Sequence, residues 1–362
     1  MMITTYMQQA ARYLSLCLLV VQLNGCALGY YWQAGAGQMR IVRGQEPVNK
    51  LLDKTELSSA ERQRLEISQE ALAFAHEHML LPDNGSYRQY YDTGEPYVVW
   101  NVFAAPELSL EPQTWCFPVA GCIAYRGYFK EKEARKYAAK LAAKGADVFV
   151  GGVAAYSTLG RLKDPLLNTM LSMAEEDFVG LIFHELSHQL LYVKDDSAFN
   201  EGFATAVESE GIRRWQAARN EPVYSEPRYT HGQRLQVMEL LRDVRERLTA
   251  VYAADTDDAY KRNQKTQLLA GLGDEYQSLV AGWRDEGLKG RPYSALIAQG
   301  LNNASLSAIA TYDDYVPAFE ELLRVCDSDI KCFYARAKDI GALAPDERRA
   351  HLRALLIRPV DG

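Results

Sequence analysis

The sequence predicts an α+β protein in which a mixed sheet precedes an antiparallel pair of helices carrying a metal site, followed by a mainly helical C-terminal region. Three observations lead there. Segments rich in Val, Tyr, Phe and Trp alternate with Ala/Lys/Glu-rich stretches ahead of residue 153. His184-Glu185-Leu186-Ser187-His188 sits in an apolar, helix-patterned run, with Glu201 thirteen residues past His188. Beyond residue 230, apolar residues recur every three or four positions through two long segments, as in a helical hairpin.

The chain has 362 residues, with 40 Lys+Arg against 47 Asp+Glu and 48% hydrophobic residues. That balance suits a folded globular enzyme and argues against a nucleic-acid partner. One apolar run, Tyr13 to Leu23, follows Arg12 and ends in Asn24-Gly25-Cys26. It is too short to cross a bilayer of ~30 Å as a helix and reads as a signal peptide over residues 1–25. Leu23-Asn24-Gly25-Cys26 resembles the bacterial lipobox, in which the cysteine is lipidated and becomes the new N-terminus. An uncleaved anchor and a simple signal are the alternatives. Ala27 after Cys26 points to a lipid-anchored protein of the outer membrane, facing the periplasm.

Cleavage leaves Cys116 with Cys122 and Cys326 with Cys332, both C-x5-C. In an oxidising compartment two local pairs read as two short-loop disulfides. A four-thiolate zinc site fits less well, because neither pair has C-x2-C spacing.

In chain order, residues 26–54 form a tether and an extended segment, since Gly29 to Asn49 is aromatic and glycine-containing without clear periodicity. A helix is expected from Ser59 to Leu80 on Leu65, Ile67, Leu72, Phe74, Ala75 and Met79. His76 and His78, two apart, face different sides of it and read as solvated. After the turn Pro82-Asp83-Asn84-Gly85-Ser86, strands are expected over Pro96 to Ala105 and Trp115 to Phe129. A helix from Glu131 to Lys144, closed by Gly145, precedes another strand over Asp147 to Val153. The run Val153 to Leu159 is a place for an edge strand that holds an extended peptide by backbone pairing. Residues 55–215 form the catalytic region, and 216–362 the helical region completing its cleft.

On a helix, residues four apart share a face, so His184 and His188 can present two imidazoles to one zinc ion while Glu185 reaches a water beside it. Glu175 and Asp177 supply an acidic first turn, and Leu181, Ile182, Phe183, Leu186, Leu190 and Leu191 suit burial. If that helix runs to Val193 and a second begins at a cap on Asp196 or Ser197, His188 lies ~7 Å before the turn and Glu201 ~6 Å after it. Folded back, the helices bring Glu201 level with His188 as the third ligand. Glu208, seven residues on, lies on the same face, either as acceptor for the free N–H of a ligating imidazole or as a solvated carboxylate.

Three protein ligands leave a fourth position for water, as in a catalytic site. Glu185 is then the general base, and the reaction class is hydrolysis of a peptide or related amide. For the donor to the developing oxyanion, Tyr312 is the first candidate, near Asn302 and Asn303 as substrate-facing polar residues; Tyr156 and His231 are runners-up. Downstream, Val237, Leu241, Val244, Leu248 and Val251 form one stripe, and Leu269, Leu272, Tyr276, Leu279 and Trp283 another. Joined near Asp255 to Asp258, they make a hairpin that either recruits a protein partner or packs its stripes internally. The last helix, from Asp346 to Leu356, is basic on one side and reads as solvated.

The chain resembles the bacterial predicted-aminopeptidase lipoproteins, a zincin-like family. The matching pieces are Gly29-Tyr30-Tyr31-Trp32-Gln33-Ala34, Leu81 to Tyr87, Tyr97 to Glu107, Tyr125 to Phe129, Tyr156 to Gly160, the metal helix, Val193 to Ser197, Asn200-Glu201 and Asn302-Asn303-Ala304. The resemblance covers nearly the whole mature chain. It implies a lipid-attached aminopeptidase with one zinc held by His184, His188 and Glu201, and Glu185 as base. Asn200-Glu201-Gly202-Phe203-Ala204 also looks like the third-ligand segment of the aminopeptidase N family, at a shorter distance from the second histidine. No Gly-Ala-Met-Glu-Asn amine-binding segment is present, and Glu107 is the carboxylate considered for a substrate ammonium. An envelope endopeptidase or amidase would share this chemistry. From another class, a binding or scaffold protein would use zinc only to organise its helices.

Overall fold

The structure is a computed structural model that describes residues 25–117, 121–219, 231–313 and 315–356. The chain divides into two compact units, Met1–Gln45 and Glu46–Gly362. The first contributes helix α1 (Gly25–Gly44), where an extended segment is expected. Tyr30, Gln33, Ala34, Gln38 and Ile41 fall on one face at helical spacing, and the glutamines among them hide the apolar period. The signal peptide expected before Gly25, and the side chain of Cys26, lie outside the described residues. Among the described residues no helix is long and apolar enough to cross a membrane.

The second unit opens with β1 (Glu46–Pro47), α2 (Val48–Leu52) and α3 (Ser59–Glu77). Ser58 and Glu61 form a reciprocal capping box at the start of α3. Its histidines differ in setting. His76 is not solvated, because its Nδ1 lies 3.0 Å from the Leu81 carbonyl and its Nε2 3.4 Å from Asp83. His78 is exposed and packs against Phe74.

Next come β2 (Gln89–Tyr91), β3 (Val99–Pro106), β4 (Trp115–Phe117), β5 (Gly121–Ile123), β6 (Arg126–Tyr128), α4 (Glu131–Ala142), β7 (Ala146–Val153), β8 (Leu166–Leu167) and α5 (Asn168–Leu171). They form three small sheets, β1-β2-β8, β6-β3-β7 and β4-β5. The Trp115 to Phe129 segment is thus three short strands. Buried β3 is the centre of its sheet, paired along its whole length with β7, which lies at the edge. The edge strand is therefore Ala146–Val153, and residues 154–158 leave the sheet. The sulfurs of Cys116 and Cys122 are bonded across directly opposed positions of β4 and β5.

The helical part comprises α6 (Glu175–Leu190), α7 (Ser197–Ala218), α8 (His231–Ala253), α9 (Asp258–Asp285), α10 (Ser294–Ala298), α11 (Asn303–Asp313), α12 (Val316–Val325), α13 (Ile330–Ala342) and α14 (Pro345–Leu356). Ala304 and Ala308 of α11 pack on Phe103 and Ala105, alternate residues on one face of β3. Helices α8 and α9 form the hairpin. Val237, Leu241, Val244, Leu248, Leu272, Tyr276 and Trp283 are buried in its seam together with Leu306 and Ile309 of α11. The stripes therefore meet each other and α11 rather than standing open. Phe199 and Phe203 of α7 pack with Phe319 of α12, and Phe203 stacks on Phe333 of α13. A second disulfide, Cys326–Cys332, joins the end of α12 to α13.

The last helix is not solvated. Leu352 and Leu355 are buried, as is Arg348, whose Nε lies 2.7 Å from Asp196 Oδ2. Its Nη1 donates to the carbonyls of both Gly341 and Leu343, at 2.9 and 3.0 Å. A count of basic residues cannot tell which arginine has a buried partner. Asp196 is also the cap of α7, its other oxygen accepting from the Phe199 N–H at 3.0 Å. Arg348→Met, which removes the charge partner of a half-buried carboxylate, should cost up to about 3 kcal/mol, below the full cost of breaking a buried pair. Urea unfolding measures this directly, and an unchanged midpoint would show that the pair braces nothing.

Candidate metal centre

Helix α6 starts with Glu175, Glu176 and Asp177 against its positive end and buries Phe178, Val179, Ile182, Phe183 and Leu186. It stops at Leu190, three residues before the expected end, because Leu191 is already extended. The four-residue spacing brings the rings of His184 and His188 to 4.9 Å between centroids. The chain then reverses through Asp195, which takes a left-handed φ of 67°. Asn200 locks the reversal from both sides: the Val193 N–H donates to Oδ1 at 2.7 Å, and Nδ2 donates to the Val193 carbonyl at 2.8 Å.

Close packing of α6 on α7 sets the reach of Glu201. A Cβ on Gly211 would strike the packed Phe183 ring, and one on Gly180 would meet the end of the Ile212 side chain, so the helices approach closely at both points and need glycine at 211. Glu201 Oε2 then lies 3.3 Å from His184 Nε2 and 3.7 Å from His188 Nε2. One donor atom from each of the three residues falls within 4.8 Å of the others, the only such His/Cys/Asp/Glu group among the described residues. Donors ~2.1 Å from a tetrahedral ion stand ~3.4 Å apart, so this set fits zinc with three protein ligands. Glu208 Oε2 lies 3.0 Å from His184 Nδ1, on the side of the ring away from Glu201. His188 Nδ1 is buried with no hydrogen-bond partner.

Electrostatics follow from this crowding. Burial disfavours a charged His184, but hydrogen bonds and charge from Glu201 and Glu208 outweigh it and lift the imidazole well above its usual range. Burial likewise pushes Glu201 up, yet His188 and His184 bring it down to about 2. Glu185 moves the other way. Burial raises it, only partly offset by the two imidazoles, with Glu201 and Asp164 adding to the rise.

A wall of loops closes on this helix. Gln189, one turn past Glu185 on the same face, accepts from Asn84 Nδ2 at 2.6 Å and donates to Ser86 Oγ at 3.4 Å. The adjoining Tyr87 has φ 61°, a fully buried ring and a hydroxyl with no hydrogen-bond partner. Burial raises its phenol well above the usual value, and Glu185, Asp164 and Tyr156 raise it further. Asp164 is itself buried and raised by burial; it accepts from the Thr158 N–H at 2.9 Å and the Thr158 hydroxyl at 2.7 Å, while its backbone carbonyl accepts from the Tyr87 N–H at 2.6 Å. Tyr87, Asp164 and Gln189 have no role in the sequence reading. The clue available was that Leu81 to Tyr87 and Tyr156 to Gly160 both belong to the family vocabulary.

Of the other candidates, Tyr156 packs edge-on against Phe129 and belongs to this neighbourhood. Asn302 and Asn303 do not act as a substrate wall. Asn302 Nδ2 donates to the Val148 carbonyl at 2.9 Å, and Asn303 Nδ2 donates to the carbonyls of Pro106 and Glu107 at 3.0 and 2.8 Å. The Asn303 Oδ1 accepts from the Tyr252 hydroxyl at 2.9 Å, so both amides pin the start of α11 to the sheet. Spacing cannot reveal that strand-end carbonyls await them. Glu107 is paired with Arg262 at 3.0 Å and is committed there rather than to a substrate amine. Tyr312 lies in α11, but its side chain and that of His231 are outside the described residues.

A family model described as "Putative aminopeptidase" matches residues 29–352. No curated protein and no solved structure gives a match.

Because Glu201 and Glu208 favour the protonated imidazole of His184 in the metal-free site, a zinc ion bound there would compete with a proton. Zinc titrated into weakly buffered protein at about pH 7 should release protons, and affinity should fall as pH is lowered. Potentiometry with zinc-binding isotherms checks this; affinity that rises on acidification would contradict it. In the metal-free protein, the stability His184 contributes is full below 6.5 and lost as pH rises through its raised value. That of Glu201 is present above 4.5 and lost as pH falls to about 2.

Proposed function

The chain belongs to the "Putative aminopeptidase" family, and from that premise we propose that it is a zinc-dependent aminopeptidase of zincin-like fold with Glu185 as general base. One observation carries the reading. Two imidazoles and a carboxylate converge within ligand distance, while Glu185, buried between them in sequence, stays outside the donor group. A structural site has no use for a spare base beside its open position.

His184, His188 and Glu201 hold the ion, and Glu208 accepts the His184 Nδ1 proton so that Nε2 presents its lone pair. A bound zinc supplies Lewis acidity, which makes water a nucleophile near neutral pH and polarises the scissile carbonyl. Glu185, raised by burial, takes the proton of the attacking water and passes it to the leaving amine. The outer edge of β7 beyond Val148, whose carbonyl is already taken by Asn302, is the stretch offered to an extended peptide for backbone pairing. The candidates for donor to the developing oxyanion are Tyr312 and Tyr156, of which Tyr156 packs edge-on against Phe129. The substrate is a peptide of the cell envelope, and a lipid on Cys26 tethers the enzyme to the outer membrane on its periplasmic side.

Glu185→Gln should keep its zinc, measured by metal analysis, and lose turnover by about 10²–10⁴-fold. Equal turnover would remove the base and favour a scaffold. A second measurement separates aminopeptidase from endopeptidase or amidase. Peptides with a free amino terminus should be cleaved and their N-blocked counterparts left intact; cleavage of both series at one rate would assign the enzyme to internal bonds.

A further inference from the structure

The α1 helix has a second face that its tethering role alone does not explain. Tyr31, Trp32, Met39 and Val42 are 49%, 79%, 46% and 40% exposed. They are four of the ten large hydrophobic side chains left exposed among the described residues, gathered within twelve positions. At ~100° per residue they fall within an arc of ~100°, with Gly35 inside it and nothing within 4 Å of where its Cβ would be. Arg43 and Arg40 follow on one flank of that arc, and the helix contains no acidic residue, although the chain as a whole carries a net charge of −7. Tyr30, Gln33, Ala34, Gln38 and Ile41 occupy the opposite face.

We propose that α1 is an interfacial helix that lies along the bilayer, with Tyr31, Trp32, Met39 and Val42 immersed at the headgroup boundary and Arg40 and Arg43 on anionic lipid phosphates. The occupant follows from position and charge. The described part of the helix starts at Gly25, and in the sequence the apolar run ends two residues earlier at Leu23, so a lipid on Cys26 and an uncleaved anchor alike hold this part of the chain at the membrane surface. It is too polar to cross the bilayer. An amphipathic helix with aromatic residues on one face and arginines flanking it is suited to lie in the interface instead. Trp and Tyr favour that depth because their rings are apolar and their polar atoms stay wet. This inference rests on the membrane-tether part of the proposed function and is independent of the peptidase chemistry.

The test uses the full processed chain in phosphatidylcholine–phosphatidylglycerol vesicles whose acyl chains are brominated near the headgroup. Sedimentation reports the tether, and quenching of tryptophan emission reports immersion. Trp32 is one of five tryptophans, so roughly a fifth of the emission should be lost on moving from plain to brominated lipid. Trp32→Phe should abolish that loss without changing sedimentation, and Arg40→Gln with Arg43→Gln should reduce it. A nitroxide on Met39→Cys reads the same depth without touching Trp32. Sedimentation with no bromine-dependent quenching and a water-exposed nitroxide would overturn the docking while leaving the tether, as when another protein or a second copy covers this face. Failure to sediment would overturn both.

Discussion

A single buried carboxylate, Glu201, set between two imidazoles governs the arrangement of this molecule. A lone anion in the interior is costly, so the site must supply positive charge, either as protons on histidine or as a cation. That requirement is met at a close crossing of α6 and α7, where a Cβ on Gly211 would strike the Phe183 ring. It explains why the metal-free site pulls its titrating groups in opposite directions, Glu201 down and His184 up.

The remaining contacts near the site hold that carboxylate in register. Asn200, next to Glu201, fastens the chain reversal through Val193, and Asp196 caps α7 while gripping Arg348 from the last helix. On the other side of the turn, the Cys122 N–H donates to Asp195 at 2.6 Å, and a side chain on Gly121 would collide with that aspartate. The disulfide-linked β4-β5 hairpin thus bears on the same reversal. Three stretches far apart in sequence converge on six residues between the metal helix and the third-ligand helix. Errors of an ångström there would move Glu201 relative to His184 and His188, and metal affinity depends steeply on such distances.

The loops over α6 add a different element. Tyr87 is held in a left-handed backbone conformation with its hydroxyl buried and unpartnered, a combination that costs free energy and is typical of functional sites. Its neighbours Asn84 and Ser86 are anchored to Gln189, and its backbone to Asp164. The burial that raises the phenol is reinforced by the charges of Glu185 and Asp164, and Asp164 also organises the segment around Thr158.

Much of this was legible in the sequence because it is local. The i, i+4 spacing of His184 and His188, the acidic first turn of α6, the cap at Asp196 and the seven-residue step from Glu201 to Glu208 follow from helix geometry alone. The stripes of α8 and α9 and the paired cysteines are equally short-range patterns. The failures share one cause, that burial and partners belong to the assembled fold. Asn302 and Asn303 look like substrate contacts until the carbonyls of β3 and β7 are set beside them. Arg348 looks solvated until Asp196 arrives, and α1 looks extended because glutamines at two positions of its Tyr30–Ile41 face break the apolar period. The sequence by itself determined which atoms can bind a metal and which can move a proton, since those are properties of residue type and spacing. Only the tertiary structure decided which polar groups are spent on the fold and which, like the Tyr87 hydroxyl, are buried without a partner, because hydrogen-bond partners come from segments that spacing cannot bring together.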